Sequence, residues 1–280
     1  MVDNSRNEIR DVLQLAEQFG AELPKRVGRT AQHALDLDLP APVPVNSIAD
    51  SLLEKLGDLK GFDAALPDAL DEIARADAML KLSRELSARA TRKAQQMMRQ
   101  EAEPIVAAFA KAMQPSVDVL NKMACTLPET FSTNEVNDLT TEQFAAWKSC
   151  EPAAAQLEAA AFALRWLFGV KPDDTTISLV IAHRLPFVEP PETMEYPDAF
   201  PVLNAIGGIR HIGGTLSPAN QDRATFWPAR VVHSGAEFKI ATPTDARERA
   251  ERLRTACIQP RKPRSTPSQR VSELKVALKK

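Results

Sequence analysis

Residues 67–123 read PDALDEIARADAMLKLSRELSARATRKAQQMMRQEAEPIVAAFAKAMQPSVDVLNKM, and this stretch decides the fold class. Leu70, Ile73, Met79, Leu82, Leu86, Ala90, Ala94, Met98, Ala102, Val106, Phe109, Met113, Val117 and Leu120 step mostly by threes and fours. That spacing draws one apolar stripe along an α-helix and fits no strand, whose faces repeat every second residue. Pro67 suits a first helical turn, and Asp68, Asp71 and Glu72 lie where the helix dipole favours negative charge, so the helix is expected to start there. From Leu82 to Val106 the stripe advances by fours and drifts off a heptad seam, which favours packing in a bundle over a long left-handed coiled coil. Pro104 has no N–H to donate and its ring crowds the carbonyl four residues back, so a kink or break is expected there, and a second at Pro115.

Upstream, Ile9, Val12, Leu13, Leu15, Ala16 and Phe19 carry a first helix that Gly20 ends, and a second short helix is expected over residues 30–37. Residues 40–44, PAPVP, favour extended backbone, and Ser47 with Asp50 resembles a capping box opening a helix through Leu59. Downstream, Ser132 with Glu135 and Thr140 with Gln143 repeat the capping pattern. The second of these opens a helix carrying Phe144, Trp147, Leu157, Ala161, Leu164 and Leu167, with Pro152 expected to bend it early. Past Gly169 the pattern changes. Residues 175–182 are β-branched and apolar, and residues 229–233 and 236–241 flank Ser234-Gly235, a plausible hairpin turn, so a small sheet is expected. Thr242-Pro243 with Asp245 opens a charged helix to about Cys257, and Thr266-Pro267 with Gln269 opens a last one bearing Val271, Leu274 and Leu278.

The reading is a mainly α protein whose long amphipathic helices make a bundle-like N-terminal two-thirds, followed by a small α+β or irregular region and a basic tail. Its expected divisions are residues 1–45, a helical hairpin and Pro-rich linker; 46–168, the bundle region; 169–258, the small mixed region; and 259–280, the tail. The chain has 280 residues, 44% of them hydrophobic, enough for a buried core. A formal charge of -2 supplies no chain-wide attraction to nucleic acid or anionic lipid, so such attraction has to be local. The first residues, MVDNSRNEIR, lack the apolar stretch of a secretory signal, and no uncharged run reaches the roughly 18 residues of a membrane span. Cys125, Cys150 and Cys257 have no paired spacing, which fits a reducing cytoplasm.

No phosphate loop, nucleophile elbow, H-E-x-x-H or zinc spacing occurs, so no catalytic residue, cofactor or metal ligand is assigned. The chemistry-bearing features are local. Gly207, Gly208, Gly213 and Gly214 flank Arg210 and His211 in IGGIRHIGGT, where backbone N–H groups beside a cation would receive an anion; the competing reading is a pair of turns around a buried segment. His183, His211 and His233, with Asp173, Asp174 or Glu237, are candidate bases or ligands, weighed against ordinary hydrogen-bonded imidazoles. Lys81, Arg84, Arg89, Arg92, Lys93 and Arg99 face a single acid, Glu85, on the long helix; this excess would follow a phosphate backbone, or is simply a solvated face. In the tail, Arg261, Lys262, Arg264, Arg270, Lys275, Lys279 and Lys280 oppose only Glu273, beside the apolar Val271, Leu274 and Leu278. A helix this short needs a surface to dock on, on the same chain, a partner subunit, an anionic membrane or nucleic acid; the competing reading is a solvent-exposed, largely unstructured tail.

Three functions are ranked on this basis. The first is a non-enzymatic structural, assembly or protein-interaction protein that self-associates or docks on a larger complex. The second is a nucleic-acid-associated protein using residues 81–99 and the tail. The third is an enzyme built on the Gly-rich loop at 206–215.

Overall fold

A computed structural model of the protein describes residues 4–37, 44–55, 58–131, 133–172, 177, 179–192, 199–207 and 226–257. The fold is mainly α: the described residues form ten α-helices and one pair of two-residue strands. It forms two compact units, Met1–Met113 and Gln114–Lys280.

In the first unit, α1 (Asn4–Phe19) ends at Gly20, whose φ of 66° is the left-handed conformation expected of a helix stop. Helix α2 (Lys25–Asp36) begins earlier than the sequence suggested, because Gly28 sits inside the helix and hides its start. Ile9, Val12 and Leu15 of α1 are buried, as are Val27, Ala31 and Ala34 of α2, and both helices pack on α4 (Leu59–Gln100). Full burial of each large aliphatic side chain contributes about 1.5–3 kcal/mol. Gln95 Nε2 of α4 donates to Glu8 Oε2 of α1 at 2.7 Å, and Arg6 donates to the carbonyl of Leu35, so polar groups tie the same three helices.

Helix α3 (Val45–Leu53) lies on the N-terminal part of α4 through Ile48. Its expected capping box is absent: Ser47 Oγ donates to the Pro44 carbonyl at 2.7 Å instead of accepting from the helix, and the helix stops short of Leu59. Leu59 instead starts α4, which places Pro67 inside that helix and corrects the expected start. The break expected at Pro104 falls at Glu101, where φ −100° and ψ 26° leave the helix. The following helix, α5 (Ala102–Met123), then has Pro104 in its first turn, where a missing N–H costs no hydrogen bond. Pro115 lies within α5, which continues through it.

The stripe that decided the fold is covered over only part of its length. Ala94, Met98, Ala102, Val106, Phe109, Met113, Val117 and Leu120 are buried. Leu70, Met79, Leu82 and Leu86 are 57%, 40%, 50% and 40% exposed, because α3 and the α1–α2 pair cover a different face of α4, marked by the buried Ala76 and Thr91.

In the second unit, Thr140 and Gln143 form the expected capping box and open α6 (Thr141–Phe168), which passes through Pro152 and ends at Gly169 in the left-handed region. Leu157, Leu164, Leu167 and Phe168 of α6 are buried, and the Phe168 ring meets Phe187 edge-on at 5.6 Å between centroids. The strand expected within 175–182 is corrected, since Leu179–Arg184 is a helix, α7. The hairpin at Ser234-Gly235 is corrected too. Residues Trp227–His233 form a helix, α9, and Gly235 (φ 78°) closes it with Ala236 N donating to Val231 O and Gly235 N to Val232 O. A Gly in that role ends a helix by the Schellman pattern, whose sequence signature overlaps that of a tight hairpin.

A small sheet does form, but with other partners: β1 (Val188–Glu189) pairs antiparallel with β2 (Glu237–Phe238). On the far edge of β2, the Asn121 side chain donates from Nδ2 to Phe238 O at 2.8 Å and accepts from Phe238 N at 2.7 Å, standing in for a third strand. Helix α8 (Ala199–Gly207) packs on α7 and α9, and α10 (Pro243–Ala256) opens at the expected Thr242–Asp245 capping box. Thr266 and Gln269, like Ser132 of the other proposed cap, lie outside the described residues.

Candidate functional site

Helix α4 carries both exposed aliphatic and exposed basic side chains. Leu70, Met79, Leu80, Leu82 and Leu86 are all exposed on it, within a helix about 63 Å long. The six basic residues singled out there, Lys81, Arg84, Arg89, Arg92, Lys93 and Arg99, are exposed as well. They do not form one free cationic strip. Arg89 Nε donates to Glu85 Oε1 at 2.6 Å, Arg92 lies 3.9 Å from the same carboxylate and Lys81 is 2.7 Å from Asp77. The Arg89 hydrogen bond, and then its charge, hold the Glu85 carboxyl below its ordinary value.

Gly207 closes α8, while Gly208, Arg210, His211, Gly213 and Gly214 lie outside the described residues, as do Arg261, Lys262, Arg264, Arg270, Leu274, Lys275 and Leu278 of the tail. The approach to the Gly-rich loop is described, and it is occupied by two arginines the sequence reading did not single out. Arg184 Nη1 donates to Ile206 O at 3.0 Å, and Arg230 Nη2 donates to Ala205 O at 3.1 Å and to Asn204 O at 2.5 Å. Both cations thereby satisfy the last carbonyls of α8, where the helix dipole is negative. Arg184 also grips Glu158 with Nε at 2.9 Å and stacks over Trp227 at 4.6 Å, so its guanidinium is fully employed in structure.

The histidines are not brought together for catalysis among the described residues. His233 Nε2 is 2.8 Å from Leu127 O, a structural hydrogen bond. His183 stands edge-on to Phe162 at 6.4 Å, and burial, helped by the charge of Arg165, pulls its imidazole below the ordinary value and keeps it neutral at pH 7. Asp173, Asp174 and His211 lie outside the described residues, and Glu237 is exposed on β2. No group of three or more His, Cys, Asp or Glu with metal-binding placement occurs among the described residues.

One buried ionic cluster escaped the sequence entirely. Arg249, 2% exposed on α10, donates to the carbonyls of Val188 at 3.0 Å and Lys239 at 2.9 Å, and to Glu189 Oε2 at 2.5 Å. Arg252 Nη2 takes Glu189 Oε1 at 2.7 Å. Burial pushes the Glu189 carboxyl up, but the Arg252 hydrogen bond with the charges of Arg249, Lys239 and Arg252 outweighs it and holds the group below the ordinary range. Arg249 thus clamps α10 to β1 and to the residue that follows β2; within a charged helix its pattern resembles any surface arginine, so only tertiary contacts reveal it. Among the cysteines, Cys125 is exposed, whereas Cys150 is buried and its thiol is pushed up to about 11, first by burial and then by Cys125.

Comparison of the chain with protein-family models, curated proteins and solved structures finds no match. No helix among the described residues is long and apolar enough to cross a membrane.

Proposed function

We propose that the chain is a non-enzymatic structural or assembly protein that associates with itself or docks on a larger complex through its amphipathic helices and basic C-terminal tail. The observation that carries this reading is the row of exposed Met79, Leu82 and Leu86 along one side of α4. Isolated apolar side chains on a surface are ordinary, but a row along one long helix is the kind of surface that partners cover. The tail adds a second element that needs a docking surface, as its basic amphipathic pattern implies.

Light scattering after size exclusion, on the full chain and on a version ending at Pro260, each at low and high salt, tests the reading. A mass above one chain supports association, and its loss on truncation assigns the contact to the tail. A single-chain mass under every condition removes self-association and leaves docking on another protein as the form to test.

Nucleic-acid binding is the second reading, favoured by the exposure of Arg84, Arg89, Arg92, Lys93 and Arg99. It ranks lower because Glu85 engages two of these cations and no aromatic side chain interleaves with them for base stacking. Binding of a labelled duplex or single strand that weakens steeply with salt would raise it, and absence of binding at low salt would end it.

A further inference from the structure

The outer face of α4 has an order that the apolar row alone does not convey. Asp68, Glu72, Arg75, Met79, Leu82, Leu86, Arg89 and Lys93 are separated alternately by four and three residues, an average of about 3.5, and all eight are exposed. They run on one seam for about 38 Å. This seam is distinct from the face that packs inside the unit, where Ile73, Ala76, Thr91, Ala94 and Met98 are buried or half-buried. Along it the chemistry is graded: the acids Asp68 and Glu72 at the N-terminal end, then Arg75, aliphatic side chains in the middle, and the bases Arg89 and Lys93 at the C-terminal end.

We infer that this seam is a self-complementary interface, on which α4 of one chain pairs antiparallel with α4 of a second copy about a twofold axis passing between Leu80 and Lys81. The inference rests on the association proposed above and names its site and partner. With that axis, Met79 meets Leu82 of the second copy and Leu86 lies on the aliphatic stem of its Arg75. Glu72 meets Arg89 and Asp68 meets Lys93. Every layer occurs twice by symmetry, as an isologous interface requires. A parallel pairing would set Asp68, Glu72, Arg75, Arg89 and Lys93 each against its own copy, five like-charge layers, and is thereby disfavoured.

The gradient also selects the occupant. A basic segment, including the chain's own tail, would match the acidic end but be repelled by Arg89 and Lys93. Nucleic acid would match the basic end but be repelled by Asp68 and Glu72. Only a surface with the opposite gradient satisfies both ends, and the same helix reversed supplies it. The Glu85–Arg89 pair at 2.6 Å does not stand in the way: it is solvent-exposed, and the planar guanidinium has donors enough for both carboxylates.

Sedimentation over a concentration series on the full chain tests the pairing with Glu72→Lys, Arg89→Glu, the double variant and Leu82→Lys, each checked for unchanged helicity by circular dichroism. The wild type is expected to move from one chain to two as concentration rises. Each charge reversal should weaken this by roughly tenfold or more, and Leu82→Lys should abolish it. The double variant, and an equimolar mixture of the two single variants, should recover affinity to within about threefold, because both restore opposite charges in every outer layer. Association indifferent to these substitutions, or single reversals without rescue in the mixture, overturns the antiparallel seam while leaving the assembly reading intact with contacts elsewhere. A wild type that stays one chain at all concentrations overturns this inference and self-association together.

Discussion

Arg249 and Glu189 illustrate how a charged pair becomes structural once its surroundings are dry. With Arg249 almost wholly buried and bonded to the backbone carbonyls of Val188 in β1 and of Lys239 just after β2, removing the carboxylate leaves an uncompensated cation. Glu189→Gln should therefore lower unfolding free energy at pH 7 by about 3 kcal/mol in urea denaturation. Because the folded-state value of Glu189 is depressed, its contribution is present above the unfolded-state value and is lost as pH falls through the folded one. The difference between wild type and variant should accordingly shrink as the titration goes from neutral pH to about pH 3, and a constant difference would show that the ion pair is not its source. The thiols differ in the same way. Cys125 should react with a thiol reagent in the native protein at neutral pH, while Cys150, buried and shifted to about 11, should react only on unfolding.

Among the elements, the two-stranded sheet is too short to stand on its own ladder and depends on side chains at its edges. Asn121 satisfies both backbone groups of Phe238, so Asn121→Ala should cost about 1–3 kcal/mol, and Asn121→Asp, which keeps the acceptor but loses the donor, should cost as well. Chemical denaturation of the two variants checks this, and neutrality of both would mean water replaces the amide. Helix α4 is the opposite case: an element whose own pattern outruns the packing available to it. Where α1 and α2 cover it, its small and apolar residues are buried; beyond them, leucines and a methionine meet solvent.

For the whole molecule, that division separates stability from association. Replacing Met79, Leu82 and Leu86 together by Gln should change the thermal midpoint of the monomer little, each substitution remaining within about 0.5 kcal/mol, while reducing any concentration-dependent mass. A large drop in midpoint without a change in mass would instead mean that these residues hold the fold.

The periodicity of residues 67–123, the capping pairs Thr140–Gln143 and Thr242–Asp245 and the stops at Gly20 and Gly169 were legible because each is decided by residues a few positions apart. A helical period, a cap or a left-handed turn needs no distant partner. Segments with two local readings were not settled that way. Gly28 resembles a helix boundary but lies within α2, and Ser234-Gly235 resembles a hairpin turn but ends α9. Likewise, local pattern gave no reason for Arg249 to differ from Arg252 or for Asn121 to imitate a strand. Nor did it say which part of the α4 stripe would be covered. Those outcomes depend on which segments, remote in sequence, come to lie alongside, and burial follows from that meeting and not from the residue itself.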